Sequence, residues 1–164
     1  GYNPVPEMTF SLTAGLNWKG IDFSILLQGA ARSSIYLQQD IAWDNFWGNY
    51  YEEHIGRWTP ETAATATYPR FTKAATAAHP NYYKSDYWLK DSKYLRLKNI
   101  QLGYTIPRKL LKKFGVRSLR VYANAYNLFT WDNVKKVDPE SSNNSNGQFY
   151  PQQKVINFGI NLNF

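Results

Sequence analysis

Cysteine is absent from the chain, so no disulfide and no thiolate ligand enters the fold, which is compatible with an oxidising compartment. Histidine occurs only as His54 and His79, too far apart and too lightly accompanied by spaced ligands to form a metal site. No cofactor motif is present either. No run approaches eighteen consecutive apolar residues, which excludes a membrane-spanning helix. The opening residues Gly1, Tyr2, Asn3 and Pro4 lack the basic and apolar regions of a signal peptide. Charge of one sign is not concentrated: the net charge is +7, but the basic residues are scattered except between Pro107 and Arg117. Nucleic acid is therefore not an expected partner.

What the chain has instead is alternation. From Val155 to Phe164 it reads V-I-N-F-G-I-N-L-N-F, with Ile156, Phe158, Ile160, Leu162 and Phe164 on one face and almost wholly polar residues on the other. About ten residues is the length that a tilted strand needs to cross the hydrocarbon of a bilayer. A strand with one solvated face alternates in the same way, so recurrence decides the matter. The pattern recurs over 8–18 and, more loosely, over 21–31. Over 118–129, Leu119, Val121, Ala123 and Ala125 alternate with Arg120, Tyr122, Asn124 and Tyr126. Over 94–106, Leu95 and Leu97 have one parity and Ile100, Leu102, Tyr104 and Ile106 the other, so a β-bulge near Lys98 and Asn99 is required for a single apolar face. Five strands are predicted: 8–18, 21–31, 94–106, 118–129 and 154–164.

Aromatics make up 17% of the chain against 43% total hydrophobics, and they sit at strand ends. Trp18, Tyr104 and Phe164 fall at one end, and Tyr94, Phe129, Trp131 and Tyr150 at the other. That is the placement of the two interfacial girdles of a membrane barrel. A mean hydropathy of −0.54 does not oppose this, because the inner face of a barrel is polar. Connections alternate strictly between short (Lys19-Gly20; Pro107–Arg117) and long (about 32–93; about 130–153). Outer-membrane barrels have short periplasmic turns and long external loops, so the long connections are expected outside and the C-terminus on the periplasmic side. The basic segment is read as a turn with Leu110, Leu111 and Phe114 inward, closed by Gly115, its solvated face open to an anionic lipid headgroup. Because an open five-stranded sheet would leave unpaired edges in lipid, further strands are expected to close the barrel.

The stretch Y-L-R-L-K-N-I-Q-L-G-Y-T-I-P from Tyr94 to Pro107, and K-L-L-K-K-F-G-V-R-S-L-R-V-Y-A-N-A-Y-N-L-F-T-W from Lys109 to Trp131, resemble the C-terminal region of the SusC/RagA family of TonB-dependent outer-membrane transporters. Asp138-Pro139-Glu140, Tyr150-Pro151 and the closing F-G-I-N-L-N-F agree in order and spacing. The resemblance is close over roughly the last seventy residues and extends to Met8–Ala31 in strand pattern only. It implies an all-β, antiparallel transmembrane β-barrel of 22 strands, of which this chain supplies the last five, with a plug domain and TonB box lying elsewhere. It further implies import of oligosaccharides, glycans or peptides, a SusD-like lipoprotein lid, and coupling to the TonB complex. A passive barrel or adhesin is the alternative reading, and a soluble glycan-binding sandwich the third.

Within the long loop, Trp43, Phe46, Trp47, Tyr50, Tyr51 and Trp58 stand beside Asp44, Asn45, Asn49, Glu52 and Glu53. Flat rings next to fixed acceptors suit a sugar, yet a loop this long also needs its own small core, and aromatic and Arg residues mark protein interfaces. Ligand contact, lid contact (Tyr51, Arg57, Trp58) and internal packing therefore all stand at this level. No catalytic residues are expected: Glu52, Glu53 and His54 are adjacent on an extended loop and point apart, and Asp138 with Glu140 offers too few oxygens for calcium. Arg120, Tyr122, Asn124, Tyr126, Asn157, Asn161 and Asn163 are expected to line the lumen or contact a plug.

Overall fold

The computed structural model describes residues 1–39, 42–44, 50–73, 79–135, 137–141, 150 and 152–164. Among the described residues there are seven strands: β1 Met8–Trp18, β2 Ile21–Ala31, β3 Ser34–Tyr36, β4 Leu89–Asp91, β5 Tyr94–Thr105, β6 Ser118–Asp132 and β7 Val155–Asn163. Five form one antiparallel sheet in the order β1-β2-β5-β6-β7, and β3 pairs with β4 in a second, two-stranded sheet. This small ribbon falls within the connection expected as loop, and β6 runs three residues beyond the expected Phe129.

Register follows from the alternation. Trp18, Ile21, Tyr104, Val121 and Ile160 form one cross-strand row, and Leu16, Phe23, Leu102, Ala123 and Phe158 the next. Shifting any strand by one residue would bring polar side chains onto this face, so the pattern fixes the register. At Lys98 the ladder breaks: Leu26 pairs with Asn99 but Leu27 with Leu97, and on the other side Leu97 pairs with Phe129 but Asn99 with Tyr126. Asn127, opposite the bulge, takes a φ of 51°. The bulge puts Leu95 and Leu97 on the same face as Ile100, Leu102 and Tyr104, which makes the apolar side continuous.

The short connections are tight. Lys19 and Gly20 both have positive φ, 48° and 88°, the backbone of a type I′ hairpin turn. A Cβ on Gly20 would lie 2.8 Å from the Thr105 carbonyl oxygen, so glycine is required twice over there. Between β5 and β6, helix α1 Arg108–Leu111 passes into a 3-10 turn, Lys112–Phe114, closed by Gly115 at φ 68°. Of the three apolar residues expected inward, Leu111 alone is buried; Leu110 and Phe114 are 65% and 76% exposed. With only seven residues in the two turns, a single inward position is available and the other two side chains project outward.

Both long connections leave from the Ala31, Tyr94 and Asp132 end of the sheet. The first carries the one sizeable buried cluster among the described residues: Ile35, Leu37, Ala42, Trp43, Tyr68, Tyr82 and Trp88, joined by Val134 from the second. The sheet itself buries little. Its apolar face leaves Phe158 82%, Ile160 69%, Leu16 62% and Leu12 61% exposed. A patch of this extent marks an interaction surface, since water-exposed apolar area of this kind is costly at roughly 25 cal/mol per Å².

Candidate functional site

The polar face of the sheet is a graded wall. Near the short turns, Arg120 on β6 donates from Nε to Asp22 Oδ1 at 2.9 Å and from Nη2 to Oδ2, reaching across β5 to β2. That crossing passes over Gly103, where a Cβ would sit 2.5 to 2.6 Å from the guanidinium and carboxylate atoms. Arg120 also lies 4.8 Å from the centre of the Tyr122 ring. Tyr122 in turn covers Gly159 of β7, where any Cβ would meet the ring. Further along, Asn157 donates to Asn124 at 3.0 Å, while Asn161 stands opposite Arg120 and Tyr126 opposite Val155. Arg120, Tyr122, Asn124, Tyr126, Asn157 and Asn161 are thus brought onto one face, and Ile156, Phe158, Ile160 and Leu162 onto the other, with Phe164 just beyond the strand and 75% exposed.

Near the long loops the wall ends in a charge network that the sequence reading missed. Arg96 on β5, 2% exposed, donates to Asp138 Oδ1 at 2.8 Å and to Thr130 Oγ1 at 2.9 Å. Its Nη1 lies 3.0 Å from Glu140 Oε1, a charge contact without an aligned hydrogen bond. Lys98, at the bulge and half-buried, donates to Glu140 at 3.0 Å and approaches Gln152 Oε1 at 3.4 Å, and Gln152 donates to Glu140 at 2.8 Å. Burial pushes the Asp138 carboxyl up, but hydrogen bonds from Arg96 and the Glu140 N–H together with the Arg96 charge outweigh it, holding it below the usual carboxylate range. Asp138 and Glu140 are therefore ligands of arginine and lysine, and their role is to tie the second long connection to the wall. The signal was available: Arg96 is a charge set between Leu95 and Leu97 on the polar parity.

Tyr94 corrects an expectation. It pairs with Ala30 and Asp132 on the polar face, is 8% exposed and lies beside Arg96, so it belongs to this network and not to an aromatic girdle. Its parity, opposite to Leu95, already required that. Trp18 and Tyr104 at one end and Phe129 and Trp131 at the other do border the apolar face, the last two with ring centroids 6.2 Å apart. Tyr150 lies outside the sheet and is 80% exposed.

In the first long connection, Trp43 is 3% exposed and its ring packs on Tyr82 at 4.6 Å, so it fills the loop core and does not reach the surface. Tyr50, Tyr51, Arg57 and Trp58 are exposed. Tyr50 and Arg57 meet over Phe71, at 5.6 Å and 5.0 Å from its ring. Trp47 and Phe46 lie outside the described residues. Asp44, wholly buried, accepts from the Thr72 N–H at 2.9 Å and from the hydroxyls of Tyr82 and Tyr68. Burial raises both phenols well above their ordinary range, reinforced by the Asp44 carboxylate beside them. Tyr68 also donates to the Ala42 carbonyl at 2.7 Å, and the ring of buried His54 sits 4.6 Å from it, with Nδ1 accepting from the Tyr51 N–H. This is a packed, hydrogen-bonded core, and it offers no cluster of metal ligands among the described residues.

The architecture defines a class: an antiparallel sheet with one exposed apolar face, one polar face, and loops sorted by length to opposite ends. No family model matches the chain. It is 29% identical over 179 residues to a TonB-dependent receptor of Formosa agariphila, covering 99% of this chain and 17% of that protein. To the TonB-dependent receptor SusC of Bacteroides thetaiotaomicron it is 26% identical over 163 residues, covering 98% of this chain and 15% of SusC. Among solved structures, the RagAB peptide importer in its open-open state superposes with a TM-score of 0.75 at 23% identity, covering 99% of this chain and 18% of that one, a likeness of fold. The chain is thus similar to the C-terminal segment of SusC/RagA proteins, and it spans about a sixth of the length of these relatives. They are receptors and transporters, not enzymes.

Proposed function

We propose that the chain forms the last strands of a SusC-like TonB-dependent importer of the outer membrane, in which further strands close a 22-stranded barrel. The observation that carries this is the apolar face shared by all five strands, continuous through the Lys98 bulge and bordered by Trp18 and Tyr104 at one end and Phe129 and Trp131 at the other. On this reading Ile156, Phe158, Ile160, Leu162 and Phe164 touch lipid. The wall from Arg120 to Asn161 faces the lumen and a plug supplied by the rest of the protein, and the C-terminus lies in the periplasm. The sorting of loops by length supports that orientation.

The external loops meet a SusD-like lipoprotein and the cargo. Tyr50, Tyr51, Arg57 and Trp58 supply exposed rings and a guanidinium on a core that holds them in place, a composition suited to a protein partner as well as to a sugar or peptide. The structural neighbour RagAB is a peptide importer, which supports peptide as one class of cargo. Energy enters through the TonB complex by way of the plug. The test is deletion of 43–58 in the intact protein: uptake of its cargo falls while the heat-modifiable barrel still assembles. Unchanged uptake would reject a lid or cargo role for this loop, and a passive barrel would show uptake indifferent to loss of TonB.

A further inference from the structure

On the apolar face, Ala123 stands between Leu102 and Phe158 in one cross-strand row, and its small side chain leaves a depression. The result is an open groove of 440 Å³ lined by Ile21, Leu102, Tyr104, Val121, Ala123 and Phe158, almost wholly apolar. It lies three residues, about 10 Å, from the end of β5 at Thr105. There the chain enters the turn that carries Arg108, Lys109, Lys112, Lys113 and Arg117, with no acidic residue between Ile106 and Ser118. None of these five cations takes part in an ion pair among the described residues. Leu110 and Phe114 project from the same turn, 65% and 76% exposed, while buried Leu111 and the left-handed Gly115 fix its shape. Lys19, 4.8 Å from the Trp18 ring, adds a further cation at that end of the sheet.

An apolar groove that leads to an uncompensated basic turn with two exposed apolar side chains matches the two ends of one molecule. We propose that this is a binding site for a glycerophospholipid of net negative headgroup, in the leaflet at the short-turn end. One acyl chain lies in the groove over Ala123, the headgroup phosphate sits against Lys109, Lys112 and Lys113, and Leu110 and Phe114 dip into the interface. A zwitterionic headgroup would leave the turn's charge unmatched, which is why the site selects an anionic one. The proposal rests on the membrane reading of the apolar face.

The test uses the intact protein, delipidated in detergent and titrated with phosphatidylglycerol or phosphatidylethanolamine while bound lipid is counted by native mass spectrometry. A preference for phosphatidylglycerol of about fivefold or more is expected. The combined substitution Lys109→Gln, Lys112→Gln and Lys113→Gln should bring the two lipids to parity, and Ala123→Phe should weaken both by filling the groove. Equal retention in the parent, or a preference untouched by both variants, overturns the site. Heat-modifiable migration, read on the same samples, separates the two levels: a protein with no membrane barrel refutes the importer, whereas a folded barrel without lipid preference refutes this site alone.

Discussion

Ile160 and Asn161 are neighbours in sequence and opposites in surroundings. The first pairs with Val121 on the apolar face and the second with Arg120 on the polar one. An arginine at the bilayer midplane costs roughly 2 to 4 kcal/mol. Ile160→Arg should therefore lose folded barrel in an outer-membrane assembly assay, and Asn161→Arg should not; equal losses would remove the facing assignment. Gly103 is a second decisive position, because the Asp22 to Arg120 ion pair crosses directly over it. Gly103→Ala forces that pair apart, and a loss of about 1 to 3 kcal/mol is expected from urea unfolding midpoints of the intact barrel. Were the midpoint unchanged, the crossing would not hold the three strands together. Which face each of these residues takes was legible in the sequence, since parity is set by the backbone alone. That Arg120 has Asp22 as its partner was not, because the contact joins residues 98 apart in sequence across an intervening strand.

At the scale of elements, the two long connections are held by different chemistry. The second is anchored through Asp138 and Glu140 to Arg96, a cation set with 3% of its side chain exposed. Arg96→Met leaves the Asp138 carboxylate without its main partner and removes a charge contact from Glu140, at a cost of about 3 kcal/mol or more. Limited proteolysis between β6 and β7 should accelerate accordingly, and an unchanged cleavage rate would refute the anchor. Because the Asp138 carboxyl is held below its unfolded value, its contribution is present above the ordinary carboxylate range and is lost as pH falls below that range. Protection of this connection from hydrogen exchange, corrected for the intrinsic pH dependence of amide exchange, should therefore fall near about pH 3 and stay flat above about pH 6; a loss of protection on raising the pH would contradict the sign. The first connection instead stands on its own core, in which Asp44 accepts from Tyr82, Tyr68 and Thr72. Tyr82→Phe deprives a buried carboxylate of a donor, an expected loss of about 1 to 3 kcal/mol in loop stability by hydrogen exchange. The strands and the bulge at Lys98 could be read from alternation and its parity break. Neither anchor could. Asp138-Pro139-Glu140 carries no period, and Asp44 meets Tyr68 and Tyr82 only after the loop has folded, so the aromatic content of that segment was legible while the burial of Trp43 was not.

For the whole molecule, the distribution of burial is inverted relative to a water-borne sheet. The packed cluster lies in a connection, and the largest apolar surface lies open on five paired strands. On the reading proposed above, a bilayer would supply the missing contact on one side, and water and a plug would meet the wall from Asp22 to Asn161 on the other. The measurement that tests this most directly is site-directed spin labelling along β7 of the intact protein in its membrane. Labels at Ile156, Phe158, Ile160 and Leu162 should collide with oxygen dissolved in lipid, and labels at Asn157, Asn161 and Asn163 should not, giving a period of two along the strand. Equal oxygen accessibility at both parities, or the reverse order, would contradict the account.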